Sequence, residues 1–125
     1  MDCNVQNQAE QGDLISASRV RGANVYNTAD EHLGTIDDVM LHRNSDKIAY
    51  AVMSFGGFLG IGEKYHPLPW SILRYDAVKG NYIVDLSKEQ LKDAPCFARD
   101  DIHEDDKAWR EPVHAYYGAA RYWPM

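Results

Sequence analysis

The sequence predicts an all-β fold: a small barrel of short strands, then a short helix after the last strand and a partly helical aromatic C-terminal extension. Three observations carry this. Ile48 to Phe55 is apolar on both of its alternating faces, Ile48, Tyr50 and Val52 on one and Ala49, Ala51, Met53 and Phe55 on the other, the pattern of a central strand covered on both sides. Turn residues recur at short intervals, at 28–32, 44–47 and 79–81, which spaces several strands closely. Between them lies Gly56-Gly57-Phe58-Leu59-Gly60-Ile61-Gly62, a loop that alternates glycine with large apolar groups and returns through Leu68-Pro69-Trp70.

Taken in order, residues 1–13 are polar and aperiodic and read as a flexible arm. The folded body starts at Leu14, and Asn24-Val25-Tyr26-Asn27 is a first strand. Leu33 to Arg43 is the next, with a defect: Ile36 is one residue out of phase with Val39 and Leu41. An extra residue at Asp37-Asp38 restores the phase and predicts a β-bulge. A return strand over 63–68 places Lys64 and His66 on one face, and Pro67 and Pro69 suit a strand end or edge. Trp70 to Leu73 reads as a helical turn, and two strands over 73–78 and 82–86 as a hairpin. Ser87 can cap a helix that Pro95 limits. Residues 99–106 are strongly acidic and read as a solvated linker. The last stretch carries Trp109, Tyr116, Tyr117, Tyr122 and Trp123, five of the fourteen aromatics. So much apolar area predicts docking on something.

Composition bounds the chemistry. The chain of 125 residues is 45% apolar and 26% charged, as in ordinary globular proteins. Its net charge of −6 is set by acidic ends around a neutral middle, which leaves no basic patch for nucleic acid. The longest run without a strongly polar group, from Ile48 to Ile61, is shorter than the roughly 18 residues a membrane-spanning helix needs. Without a basic, apolar leader at the N-terminus, a cytoplasmic location is expected. Cys3 and Cys96 form neither a disulfide framework nor a metal spacing, and Cys96 beside Phe97 reads as a buried, inert thiol.

The run VYNTADEHLGTIDDVMLHRNSDKIAYAVMSFGGFLGIGEKYHPLPWSIL, with Gln90-Leu91 to Ala94-Pro95 after it, resembles a PRC-barrel domain over about residues 14–97. The Tyr116-Tyr117-Gly118 and Tyr122-Trp123 ending is similar to the tails of small stand-alone bacterial members. That family includes the cytoplasmic barrel of the photosynthetic reaction centre H subunit and the C-terminal domain of RimM. The resemblance implies docking to protein partners and brings no catalytic residue set.

Other chemistry is weaker. Gly57 to Lys64 is a near miss to a phosphate-binding loop, since Glu63 intervenes and no hydroxyl or helix follows. His103-Glu104-Asp105-Asp106 and His114 lack zinc spacing. His66 reads as a surface or interface residue. No catalytic, cofactor or metal residues are therefore expected. The preferred reading is a non-enzymatic interaction or assembly module, forming a homodimer, with Phe58, Leu59, Ile61, Trp109, Tyr116, Tyr117 and Trp123 as interaction candidates; the glycine loop can equally be structural. The alternative is a small-molecule site or enzyme in the barrel mouth, lined by Tyr50, Tyr65, His66 and Trp70.

Overall fold

The computed structural model describes residues 14–45, 47–55 and 64–120. After a short helix α1 (Ala17–Val20), two strands β1 (Asn24–Asn27) and β2 (His32–Leu41) form a hairpin. Strands β3 (Ile48–Phe55) and β4 (Tyr65–Pro69) follow, then a 3-10 turn (Trp70–Ile72) and the hairpin β5 (Arg74–Asp76) and β6 (Asn81–Val84). Three α-helices, α2 (Lys88–Lys92), α3 (Arg99–Glu104) and α4 (Arg110–Tyr117), complete the described chain, with a second 3-10 turn (Asp106–Ala108) between the last two. Leu14 and Ile15 are exposed, and Val20 is the first buried side chain among the described residues.

The strands make one sheet in the order β4-β3-β2-β1-β6-β5, with β1 and β6 parallel and the other pairs antiparallel. Among the described residues, the barrel expected from the sequence is not closed by pairing: β4 and β5 are two separate edges. Pro67 and Pro69 lack the N–H groups that a further ladder on β4 would need. The 3-10 turn and Leu73 join these edges directly in sequence, so the sheet must curl to bring them within four residues' reach.

Two apolar clusters flank β3. On one face, Ala51 and Met53 pack with Val25, Leu33, Ile36, Leu68, Tyr82, Val84 and Leu91. On the other, Tyr50 and Val52 pack with Tyr65, Ile102, Trp109 and Val113. The doubly apolar strand is thus covered on both sides, as its pattern requires.

The bulge sits where the phase slip places it. Ile36 pairs with Met53 and Asp38 with Val52, so Asp37 is the extra residue. Val39 then stands opposite Ala51, on the face of Ile36, and Met40 stands opposite Tyr50. Leu41 does not return with them: a second irregularity between Met40 and Leu41 leaves it 59% exposed. Ser87 caps α2 in a reciprocal box, its Oγ accepting from the Gln90 N–H at 3.0 Å while Gln90 Oε1 accepts from the Ser87 N–H at 2.8 Å.

The solvated linker expected over 99–106 is instead largely helical, and its single aliphatic residue, Ile102, is fully buried. Asp100 and Asp101 suit the first turn of α3, where the helix dipole favours negative charge. Cys96 is exposed rather than buried. Its neighbour Phe97 exchanges both backbone hydrogen bonds with Tyr65 on the outer edge of β4, and consecutive side chains on an extended segment point opposite ways.

Candidate functional site

The feature that draws most of the polar and aromatic groups together is the seat of the C-terminal extension, residues 98–120, on the outer face of β2, β3 and β4. It is built from the bulge outward. Asp38 pairs with Val52 and so lies on the face that carries the second cluster. The bulge brings the unpaired Asp37 beside the same helix. Arg99 Nη2 donates to Asp37 Oδ1 at 3.0 Å and lies 3.0 Å from Oδ2. One turn further along α3, His103 Nε2 lies 3.3 Å from Asp38 Oδ2. Arginine and histidine four residues apart share a helix face, so two adjacent carboxylates on a bulged strand meet two groups on one helix. Arg99 also donates to the Tyr65 hydroxyl at 2.8 Å, and its guanidinium carbon lies 5.0 Å from the centroid of that ring.

The apolar centre is Trp109. It is 1% exposed, meets the Tyr50 ring edge-on at 4.7 Å, and donates from Nε1 to the Ile102 carbonyl at 3.1 Å. Val113, one turn on, fills the same cluster. At the far end the Tyr50 hydroxyl lies 2.6 Å from His114 Nε2 in a buried contact. His114 Nδ1 lies 3.3 Å from the Ala119 carbonyl, which can only accept. With a neutral imidazole, the proton is on Nδ1 and Nε2 accepts from Tyr50. Gly118, with φ of 68°, ends α4 in the left-handed conformation that glycine takes most easily. Tyr116 reaches back to α2, its hydroxyl donating to the Gln90 carbonyl at 2.6 Å. The Tyr117 hydroxyl is buried with no partner among the described residues; burial, then Tyr116 and Cys96, push its pKa well above the usual tyrosine range.

Removing the guanidinium tests the polar end. Arg99→Ala should destabilise the protein by about 1 kcal/mol, because the pair is partly exposed and solvent screens it. Thermal melts should show a drop of roughly 4 °C for that change, smaller in high salt. An unchanged melting temperature at low salt would mean that the pair holds nothing.

Of the interaction candidates, Trp109 is buried against its own sheet, Tyr117 is half-buried, and Tyr116 is 40% exposed. Phe58, Leu59, Ile61 and Trp123 lie outside the described residues. The residues named for a barrel mouth are not brought to one cavity: Tyr50 and Tyr65 belong to the second cluster, while Trp70 packs on the first. The two open depressions described, of about 370 and 260 Å³, are lined by other residues. Among the described residues, no group of three or more His, Cys, Asp or Glu is arranged to hold a metal.

His66 departs from the surface or interface role that its strand position suggested. It is 5% exposed, with Phe55 edge-on at 5.7 Å, and its Nδ1 has no partner among the described residues. Every residue of β4 is buried, which alternation along one strand does not predict. Burial pulls the His66 pKa below its ordinary 6.5, against a smaller upward pull from a hydrogen bond with the Pro95 backbone. The folded state therefore resists a proton that the unfolded chain accepts, and stability should fall as pH drops below about 6.5. In His66→Gln that part of the acid slope should vanish in denaturant titrations between pH 7 and pH 5. An identical slope in the variant would assign the loss to other groups.

Asp37, Asp38, Tyr50, Arg99, Ile102, His103, Val113 and His114 were not singled out as a set by the sequence. The usable signals were the four-residue spacings Arg99–His103 and Trp109–Val113.

No curated protein matches the chain. A solved structure of a 16S ribosomal RNA processing protein, RimM, from Pseudomonas aeruginosa is similar at 20% identity with a TM-score of 0.41. The match covers 65% of this chain and 50% of that one, so the chain spans about half the length of that relative. The PRC-barrel domain model matches residues 12–91, well over half of the sequence, and the chain belongs to the PRC-barrel domain family.

Proposed function

We propose that this chain is a non-enzymatic protein-interaction or assembly module that works as a homodimer in the bacterial cytoplasm. The observation that carries the reading is the PRC-barrel domain itself, matched over residues 12–91. The described polar groups are consistent with it: Asp37, Asp38, Arg99, His103, Tyr50 and His114 hold one segment of the chain against another. Phe58, Leu59 and Ile61 on the glycine loop add three apolar side chains for contact with a partner. Burying each fully is worth roughly 1.5–3 kcal/mol. Direct partnership with nucleic acid is not part of the proposal, because the net charge is −6 and no segment is strongly basic.

The test is sedimentation velocity across a concentration series. Wild type should pass from monomer to dimer, and Leu59→Asp should weaken that step at least tenfold with an unchanged circular dichroism spectrum. Monomer at every concentration would remove the dimer. Capture from native lysate by wild type but not by Leu59→Asp would then be the remaining support for an interaction module, and failure of both would overturn it.

A further inference from the structure

The geometry points to a binding site for a carboxylate in the depression between α1 and the bulge of β2. This goes beyond the assembly reading above and does not depend on it. The depression measures about 370 Å³ and is open to solvent. Its lining includes Ser18 of α1, Arg21 and Gly22 just after that helix, Thr35 and Asp37 of β2, and Ser54 of β3.

Arg21 is pinned at both ends. Its backbone N–H donates to the Ala17 carbonyl at 3.0 Å, and Gly22, with φ of 89°, donates to the Ile36 carbonyl on β2 at 2.7 Å. At the tip, Nε donates to the Asp37 carbonyl at 3.2 Å. A guanidinium carries five N–H donors in one plane. With Nε engaged, the four on the two Nη atoms have no partner among the described residues. The Asp37 carboxylate does not neutralise this charge, because Arg99 Nη2 lies 3.0 Å from each of its oxygens. One cation is thus held in place by a backbone carbonyl, with its paired donors left over.

The hydroxyls add to the excess of donors. Ser54 Oγ donates to the Thr35 carbonyl at 3.3 Å, so its proton is committed. The Thr35 hydroxyl has no partner among the described residues, and Ser18 Oγ has only the Ser16 hydroxyl at 3.3 Å. Both can turn a proton toward a bound oxygen. Donors in excess call for an oxyanion, and shape and charge select the carboxylate. The two Nη atoms of a guanidinium present parallel N–H bonds that match two coplanar oxygens. A phosphate dianion would bring a second negative charge beside Asp37 with a single unpaired guanidinium to meet it.

The test is a heteronuclear NMR titration of the full chain at constant ionic strength, with sodium acetate replacing sodium chloride. Acetate should give saturable shifts of the Gly22, Thr35 and Ser54 amides and of the Arg21 Nε–H, and sodium phosphate should bind more weakly. Arg21→Lys keeps the charge but not the fork, and should weaken acetate about tenfold, the fold-change for losing one charge-assisted hydrogen bond. Arg19→Gln removes a neighbouring charge outside the lining and should change nothing. Thr35→Val, which leaves Arg21 and its backbone anchors intact, should weaken acetate independently. A parallel series with acetyl-Gly-Glu-Gly-amide separates the sources: tighter binding than acetate assigns the site to an acidic segment of a partner, equal or weaker binding to a free acid. Shifts that never saturate overturn the site. So does equal acetate affinity in wild type, Arg21→Lys and Thr35→Val, or an effect of Arg19→Gln as large as that of Arg21→Lys. None of these outcomes bears on the dimer, which sedimentation reads separately.

Discussion

Trp109→Ala should release the C-terminal extension from the sheet and cost about 3–5 kcal/mol, the range for deleting a large buried aromatic side chain. The variant loses the edge-on contact with Tyr50, the hydrogen bond to the Ile102 carbonyl and the packing that covers Val52 and Val113. The loss should be uneven along the chain. Amide exchange should accelerate first in α3 and α4, while β1, β2 and β6, which rest on the first cluster, keep their protection until global unfolding. Trp109→Phe, which keeps a ring on Tyr50 but drops the indole N–H, should recover more than half of the stability. Uniform acceleration across all six strands would mean that extension and sheet unfold as one unit. An unchanged melting temperature would show that the extension contributes no stability.

Gly34→Ala is expected to be the most damaging single methyl group in the sheet. Gly34 lies in β2 opposite Phe55, and a Cβ built there would run into the Ser54 carbonyl oxygen. That atom is backbone in the β2–β3 ladder and cannot swing aside as the end of a flexible side chain can. Overpacking of this kind costs about 3 kcal/mol, and the ladder between Thr35 and Ser54 should open with it. Denaturant titration measures the loss. By contrast, alanine at Gly80, on the β5–β6 turn, meets no atom and should suffer only the strain of its φ of 72°, about 1 kcal/mol. Equal effects at the two positions would mean that the close approach at Gly34 relaxes freely.

Much of the sheet was legible because local patterns determined it. The phase slip between Ile36 and Val39 located the bulge, and two apolar faces marked β3 as a covered inner strand. What escaped was whatever depended on contacts far along the chain. Asp37 and Arg99 are 62 residues apart, so each read alone as part of a polar run. Ile102 was one aliphatic among charges, too little periodicity to suggest a buried helix. His66 read as a surface or interface residue because alternation assumes one wet face; here Phe97 and the extension cover the Tyr65 face of β4, while the His66 face is closed by Phe55 and by the first cluster around Leu68. The aromatic weight of the last segment did signal docking, but no local pattern indicates where an indole ring will rest. Closure failed for a different reason: turn spacing counts strands without asking whether the last two edges can bond.

That edge has a consequence for how crowded copies of this protein behave. Tyr65 exchanges its bonds with Phe97 on the outer side of β4, so every second residue from it, Pro67 and Pro69, faces outward as well. The N–H of Tyr65 is engaged and the prolines have none, while the N–H groups of His66 and Leu68 point inward toward β3. The outer rim therefore offers no donor to an incoming strand. Sheet edges left open are templates for cross-β stacking and amyloid growth. Two prolines and one borrowed backbone pair keep this rim from recruiting further strands, even at concentrations where neighbouring copies meet.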